Sequence, residues 1–323
     1  MRRPPLHTLL SRVAESAYWA GRYIERAEGT ARLIKTHADL IVDLPREATV
    51  GWSPLLALLG FDDAFLTRRD QTVGEESVVA LLTTDATNPS SVRSCIASVH
   101  QNLRIARAVM PVEAVEILTD LHNFVEATGE ASLDRRTRGS WLAKIIRDCQ
   151  TLSAALADTM SHDDAYCFFT IGRQLERADM TTRVIDTHQG VLTRRVSPAL
   201  EPYVDLCWAS SLLSVSALQP FRRTGVASSA EATVDFLLND SRCPRTVEHC
   251  LVEAARWLLE IPGHELAMAS CASAQKLLQE AEPAVLIDGD LHGFIDDLQL
   301  ALASVHSEMA ATWFDPAPMR IAS

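Results

Sequence analysis

Apolar residues recur along nearly the whole chain at alternating steps of three and four, the period of a helix that buries one face. Strand-like alternation and β-branched runs are scarce. The longest helical stretch runs over residues 9–42 and stops ahead of Pro45; a second long one, around 163–191, is likewise followed by a proline, Pro198. Between and after them the pattern predicts shorter helices near 54–60, 75–83, 90–109, 111–127, 138–160, 203–217, 229–238, 245–259, 265–280 and 291–313. Pro54, Pro89, Pro111 and Pro244 stand at or near predicted starts, where a first-turn proline loses no hydrogen bond. The expected fold class is all-α, a helical bundle.

The two long helices share a motif. Residues 21–34 read GRYIERAEGTARLI and residues 172–185 read GRQLERADMTTRVI, so Gly21, Arg22, Glu25, Arg26 and Arg32 map onto Gly172, Arg173, Glu176, Arg177 and Arg183. The offset is 151 positions throughout, without a gap, and it also sets Glu28 against Asp179. Further on, Pro89-Ser90-Ser91-Val92 resembles Pro244-Arg245-Thr246-Val247 at an offset of 155, and Cys95 aligns with Cys250. The repetition implies one domain over 1–323, built from two pseudo-symmetric half-repeats at about 8–160 and 161–314. Each half, with one long apolar helix, needs its twin to bury it.

On a helical wheel Val13, Ala17, Ala20, Ile24, Ala27, Ala31 and Ile34 form a seam of small and aliphatic side chains. Phe168, Ile171, Leu175, Ala178, Thr182 and Ile185 form the equivalent seam. Gly21 and Gly172 sit beside these seams, where each glycine costs about 1 kcal/mol of helix stability. Placing that cost twice at equivalent positions implies backbone contact or room for a bound group. Glu28 with Arg32, and Asp179 with Arg183, are spaced for pairing along one helix, as are Arg22 with Glu25 and Arg173 with Glu176. With Tyr18, Trp19, Tyr23, Phe168 and Phe169 around them, these charges are expected to be enclosed, and enclosed charges must be paired. Three readings stand open: a buried ion-pair network that fixes helix register, an anion- or carboxylate-binding cleft with Glu25 or Glu176 as base, and a solvated charged face.

Composition narrows the chemistry. A net charge of −12 repels phosphate backbones and argues against nucleic acid. The most apolar run, Leu206 to Leu218, is too short to span a bilayer and carries four serines. Arg2 and Arg3 are followed by Pro4, Pro5 and His7 rather than an apolar leader core, so a cytoplasmic protein is expected. The seven cysteines (95, 149, 167, 207, 243, 250 and 271) are odd in number and never spaced C-x-x-C, as for buried reduced thiols. Glu-x-x-His, His-Glu-x-x-His, glycine-rich phosphate loops and nucleophile elbows are missing, so neither a metal nor a nucleotide cofactor is expected. The clusters His162-Asp163-Asp164 and His264-Glu265 read as charges at helix N-termini.

The stretch Tyr18-Trp19-Ala20-Gly21-Arg22-Tyr23-Ile24-Glu25-Arg26-Ala27-Glu28 resembles the N-terminal signature of the bacterial alpha-E family, all-helical proteins with a Glu-Arg motif, and residues 172–179 look like its echo. Asn102-Leu103-Arg104-Ile105-Ala106-Arg107 is similar to the family's Asn-x-x-x-x-Arg segment. Phe236-Leu237-Leu238 and Pro244-Arg245-Thr246-Val247 resemble its Phe-Leu-Leu and Pro-Arg-Ser-Val element, with Thr246 for the usual serine. The first half has Ser90 where the second has Arg245, which departs from a symmetric role for that arginine. The resemblance implies company with a circularly permuted ATP-grasp protein and a transglutaminase-like protein, and so with ATP-dependent amide or peptide ligation. Two roles follow: an accessory interaction subunit, or an enzyme whose paired Glu-Arg motifs form a composite active site with a carboxylate of raised pKa.

Overall fold

The computed structural model describes residues 9–48, 50–61, 73–194 and 199–315; Arg2, Arg3, Pro4, Pro5, His7 and Pro198 lie outside them. The described residues form 14 α-helices and no strand. Helix α1 (Ser11–Asp43) ends where Leu44 turns extended, the conformation that a following proline imposes. Then come α2 (Ser53–Leu58), α3 (Glu75–Thr83), α4 (Val92–Ile105), α5 (Val112–Thr128), α6 (Arg135–Thr159) and the second long helix α7 (Asp164–Arg194). The remainder is α8 (Val204–Ser214), α9 (Leu218–Arg222), α10 (Ala230–Asn239), α11 (Val247–Leu258), α12 (Glu265–Gln279), α13 (Pro283–Asp288) and α14 (Leu291–Met309).

Helices predicted from periodicity match to within a few residues, and the departures are local. Helices α9 and α13, too short to show a period, were not expected. The segment expected over 90–109 stops at Ile105 and continues as a 3₁₀ turn over Arg107–Val109. The last helix gives way to a π-helical turn at Ala310–Phe314. Pro89 and Pro244 lie in the turns before α4 and α11, outside the helices themselves, while Pro54 does occupy the first turn of α2.

Helices α1 and α7 make the most extensive packing in the molecule, directly on each other. On α1 lie α4 and α6, with α5 between those two; on α7 lie α11 and α14, with α12 against both. The seam residues are fully buried apart from the half-buried Val13. Both glycines are spent on backbone contact. A β-carbon at Gly21 would lie 2.0 Å from the Phe169 carbonyl oxygen, and one at Gly172 would lie 2.2 Å from the Tyr18 carbonyl oxygen. The contact is reciprocal, with the same 151-residue offset in both members.

Because the neighbour is backbone and cannot rotate away, Gly21→Ala or Gly172→Ala should lower stability by about 3 kcal/mol or more, the upper range for overpacking. Gly139→Ala in α6, where an added methyl meets nothing within 4 Å, should instead raise it by roughly 0.5–1 kcal/mol. Urea unfolding of the three variants checks both signs.

Candidate functional site

The Glu-Arg residues of the two long helices meet at the crossing. Three carboxylates are sealed there: Glu25, Glu28 and Glu176, at 4%, 3% and 1% exposure. That rules out a solvated charged face. Because the glycines bring the helices so close, the pairing runs between helices. Glu176 accepts from Arg22 Nε at 2.6 Å and from Arg26 Nε and Nη2 at 2.5 and 2.9 Å. In the opposite direction Glu25 accepts from Arg177 Nε and Nη2 at 2.9 and 2.6 Å, and Arg173 Nε stands 3.7 Å away. The expected pairs Arg22 with Glu25 and Arg173 with Glu176 therefore do not form. Each arginine reaches the other helix's carboxylate, which the close crossing brings nearer than the one three residues along. The other expected pairs do form, Arg32 on Glu28 and Arg183 Nε on Asp179 at 2.8 Å.

A third arm enters from the turn before α11. Arg245 donates Nη1 to Glu25 at 2.6 Å and Nη2 to Glu28 at 2.9 Å. Gln150 of α6 adds a hydrogen bond to Glu28 at 3.1 Å. Arg177 Nη1 is capped by the Pro244 carbonyl at 3.1 Å, and Thr181 Oγ1 donates to the Arg245 carbonyl at 3.0 Å. On the other side Arg22 Nη1 donates to the Tyr18 hydroxyl at 3.0 Å, which is itself hydrogen-bonded to His306 Nδ1 at 3.0 Å. The aromatic neighbours cover guanidinium faces: Arg22 lies over Tyr18 and Trp19, Arg26 over Tyr23 and Arg173 over Phe169.

Arg245, Gln150, Tyr18 and His306 thus join the cluster without having been counted in it. Arg245 had a signal, its place in the Pro-Arg-Thr-Val element. Gln150 and His306 are single polar residues on helix faces and had none. Asn102 and Arg104 lie in the last turn of α4 and Arg107 in the 3₁₀ turn after it, half-buried or exposed.

The electrostatics oppose acid–base work. Burial alone would raise the Glu25 carboxyl, but Arg177, Arg245 and Arg173 hold it well below the usual carboxylate range. Glu176 is likewise held low, against its burial, by Arg22 and Arg26. Nor is a thiolate at hand. All seven cysteines are free and buried, and burial pushes Cys95 and Cys250, which flank Arg26 and Arg177, up to about 12. Among the described residues no group of three His, Cys, Asp or Glu side chains is placed to hold a metal ion. Asp163 caps the start of α7 through the Ala165 N–H at 3.1 Å, and Glu265 opens α12, as read from the sequence.

Removing one carboxylate strands the guanidiniums around it. Glu25→Gln or Glu176→Gln should cost about 3–5 kcal/mol, whereas Asp39→Asn, in the exposed pair with Lys35, should stay within about 0.5 kcal/mol. Chemical denaturation at pH 7 makes the comparison.

The depressed folded-state pKa values also set a sign. Both carboxylates stabilise the fold above the unfolded glutamate pKa of about 4.3 and lose that contribution as pH falls toward their lower folded values. Unfolding midpoints from pH 7 to pH 2 should therefore drop below about pH 4, less steeply in Glu176→Gln.

A family model named Alpha-E, described as a predicted alpha-helical domain with a conserved ER motif, matches residues 9–314. Uncharacterized proteins of Mycobacterium bovis and of two Mycobacterium tuberculosis strains are 24% identical over 318 residues, covering 92% of this chain and 35% of each relative. The chain thus spans about a third of the length of these curated relatives. No solved structure matches it significantly.

Proposed function

The chain belongs to the Alpha-E family, and from that premise we propose that it is the accessory interaction subunit of a cytoplasmic ATP-grasp-linked amide or peptide ligase system. One observation carries this choice over an enzyme with a composite Glu-Arg active site. Glu25 and Glu176, the two candidate bases, each accept three hydrogen bonds from guanidiniums and are held ionised below the usual range, whereas a general acid–base group needs a pKa near the working pH. The crossing locks two long helices and leaves the outer helices to meet a partner. The ligase chemistry and the partners, a circularly permuted ATP-grasp protein and a transglutaminase-like protein, come from the family resemblance alone. No helix of the described residues is long and apolar enough to cross a membrane, which is compatible with a partner in the same aqueous compartment.

The test is reconstitution with the ATP-grasp protein of the same organism. The two should co-elute, and ADP release with amide formation should depend on this chain. Turnover by the ligase alone at an unchanged rate, or two proteins that elute separately, would sink the reading.

A further inference from the structure

The crossing holds more positive charge than it uses. Six guanidiniums (Arg22, Arg26, Arg32, Arg173, Arg177 and Arg245) surround three carboxylates (Glu25, Glu28 and Glu176), an excess of three positive charges. The excess is uneven. Glu176 faces two of the guanidiniums, while Glu25 and Glu28 share the other four. These side chains are at most 21% exposed, so bulk water screens the surplus only in part. Arg173 shows the strain most directly. Its buried Nε has no hydrogen-bond partner, and burial with the adjacent Arg177 lowers its pKa. An enclosed surplus of cations is the condition that a bound anion relieves.

A pocket opens on this side. Arg32, Arg177, Arg245 and Glu25 form its charged wall. Leu33, Met180, Val184 and Val215 supply its apolar lining, and Thr181 and Ser214 line it as well. Its volume is about 340 Å³, open to solvent. That has room for a small head group with a short tail. Arg32 donates only Nη2 and Arg245 only its two Nη groups within the described residues, so Nε of each is left to offer. Glu25 and Glu28 are already occupied by guanidiniums and do not cancel the surplus.

We propose that this pocket binds a small organic acid, its carboxylate on Arg32 and Arg245 and its aliphatic part along Leu33, Met180, Val184 and Val215. The apolar lining selects a carboxylate with a short tail over inorganic phosphate, which has no part to place there. The site goes beyond the interaction role proposed above and does not require it.

Calorimetric titration of the full chain, in low-salt buffer free of carboxylates, uses butyrate, acetate, inorganic phosphate and propylamine as probes. Butyrate should saturate and bind more tightly than acetate or phosphate, propylamine should not bind, and Arg32→Gln or Arg245→Gln should weaken butyrate about tenfold, the loss of one charge-assisted hydrogen bond. Arginine Nε–Hε NMR of the wild type locates the ligand without a variant, since the Arg32 and Arg245 signals should shift while that of Arg93, paired on the surface with Glu126, stays put. Absence of saturation by butyrate, phosphate bound in preference to it, or butyrate binding that leaves those two signals unmoved would overturn the assignment.

Discussion

The fold depends on one steric fact: two helices touch backbone to backbone at Gly21 and Gly172. Neither position can carry a β-carbon without striking the other helix's carbonyl oxygen. That approach determines the electrostatics above it. Two helices so close place each Glu-Arg pair within reach of the other's, and seal Glu25 and Glu176 from bulk water. Ion pairing between the helices is then the solution with least uncompensated charge, which is why Arg22 reaches Glu176 and Arg177 reaches Glu25.

Such a network is a poor source of net stability, because desolvating each ion costs several kcal/mol before any attraction is counted. Its value is specificity. A slide of one helix along the other by a single turn would strand Glu25 and Glu176 away from their guanidiniums and drive the glycine contact into side chains. The alanine-rich seam (Ala17, Ala20, Ala27 and Ala31) would tolerate several registers, since small side chains leave shallow ridges. The charges remove that freedom. A carboxylate that serves as the lock must stay ionised and paired, and the same requirement unfits it for moving protons.

Much of this was legible in the residues. The 3.6-residue period placed both long helices, Pro45 marked the end of the first, and the gap-free spacing of 151 singled out the residues that meet. The glycines pointed to close approach because a helix does not carry that cost without return. Partner choice was not legible. A wheel drawn for one helix shows only intrahelical neighbours, so it offered Arg22 with Glu25, while the observed pairs depend on where a second helix crosses. Arg245 is remote in sequence, in a turn before a different helix, and only the packing of α11 on α7 delivers it. Helices α9 and α13 are shorter than two turns and carry too few residues to show a period.

The arrival of Arg245 breaks the reciprocity of the motif. Its counterpart in the first half is Ser90, whose N–H is taken up by the Asn88 side chain at 2.9 Å in a local turn. Thr181 donates to the Arg245 carbonyl, while its counterpart Thr30 is buried with no partner for its hydroxyl. Glu28, counterpart of Asp179, is sealed by Arg245 and Gln150, while Asp179 keeps only Arg183 and 18% of its surface in solvent. Two copies of one motif therefore sit in different fields. The Glu176 side is a closed lock of two arginines on one carboxylate, backed by Tyr18. The Glu25 side carries the extra cation, the Arg173 Nε that makes no hydrogen bond, and the pocket mouth. Arg245 gives Glu25 and Glu28 one hydrogen bond each, yet it also adds positive charge to a site already in surplus. A site that receives a negative charge gains from that surplus, and that asymmetry locates ligand chemistry on the Glu25 face of the crossing.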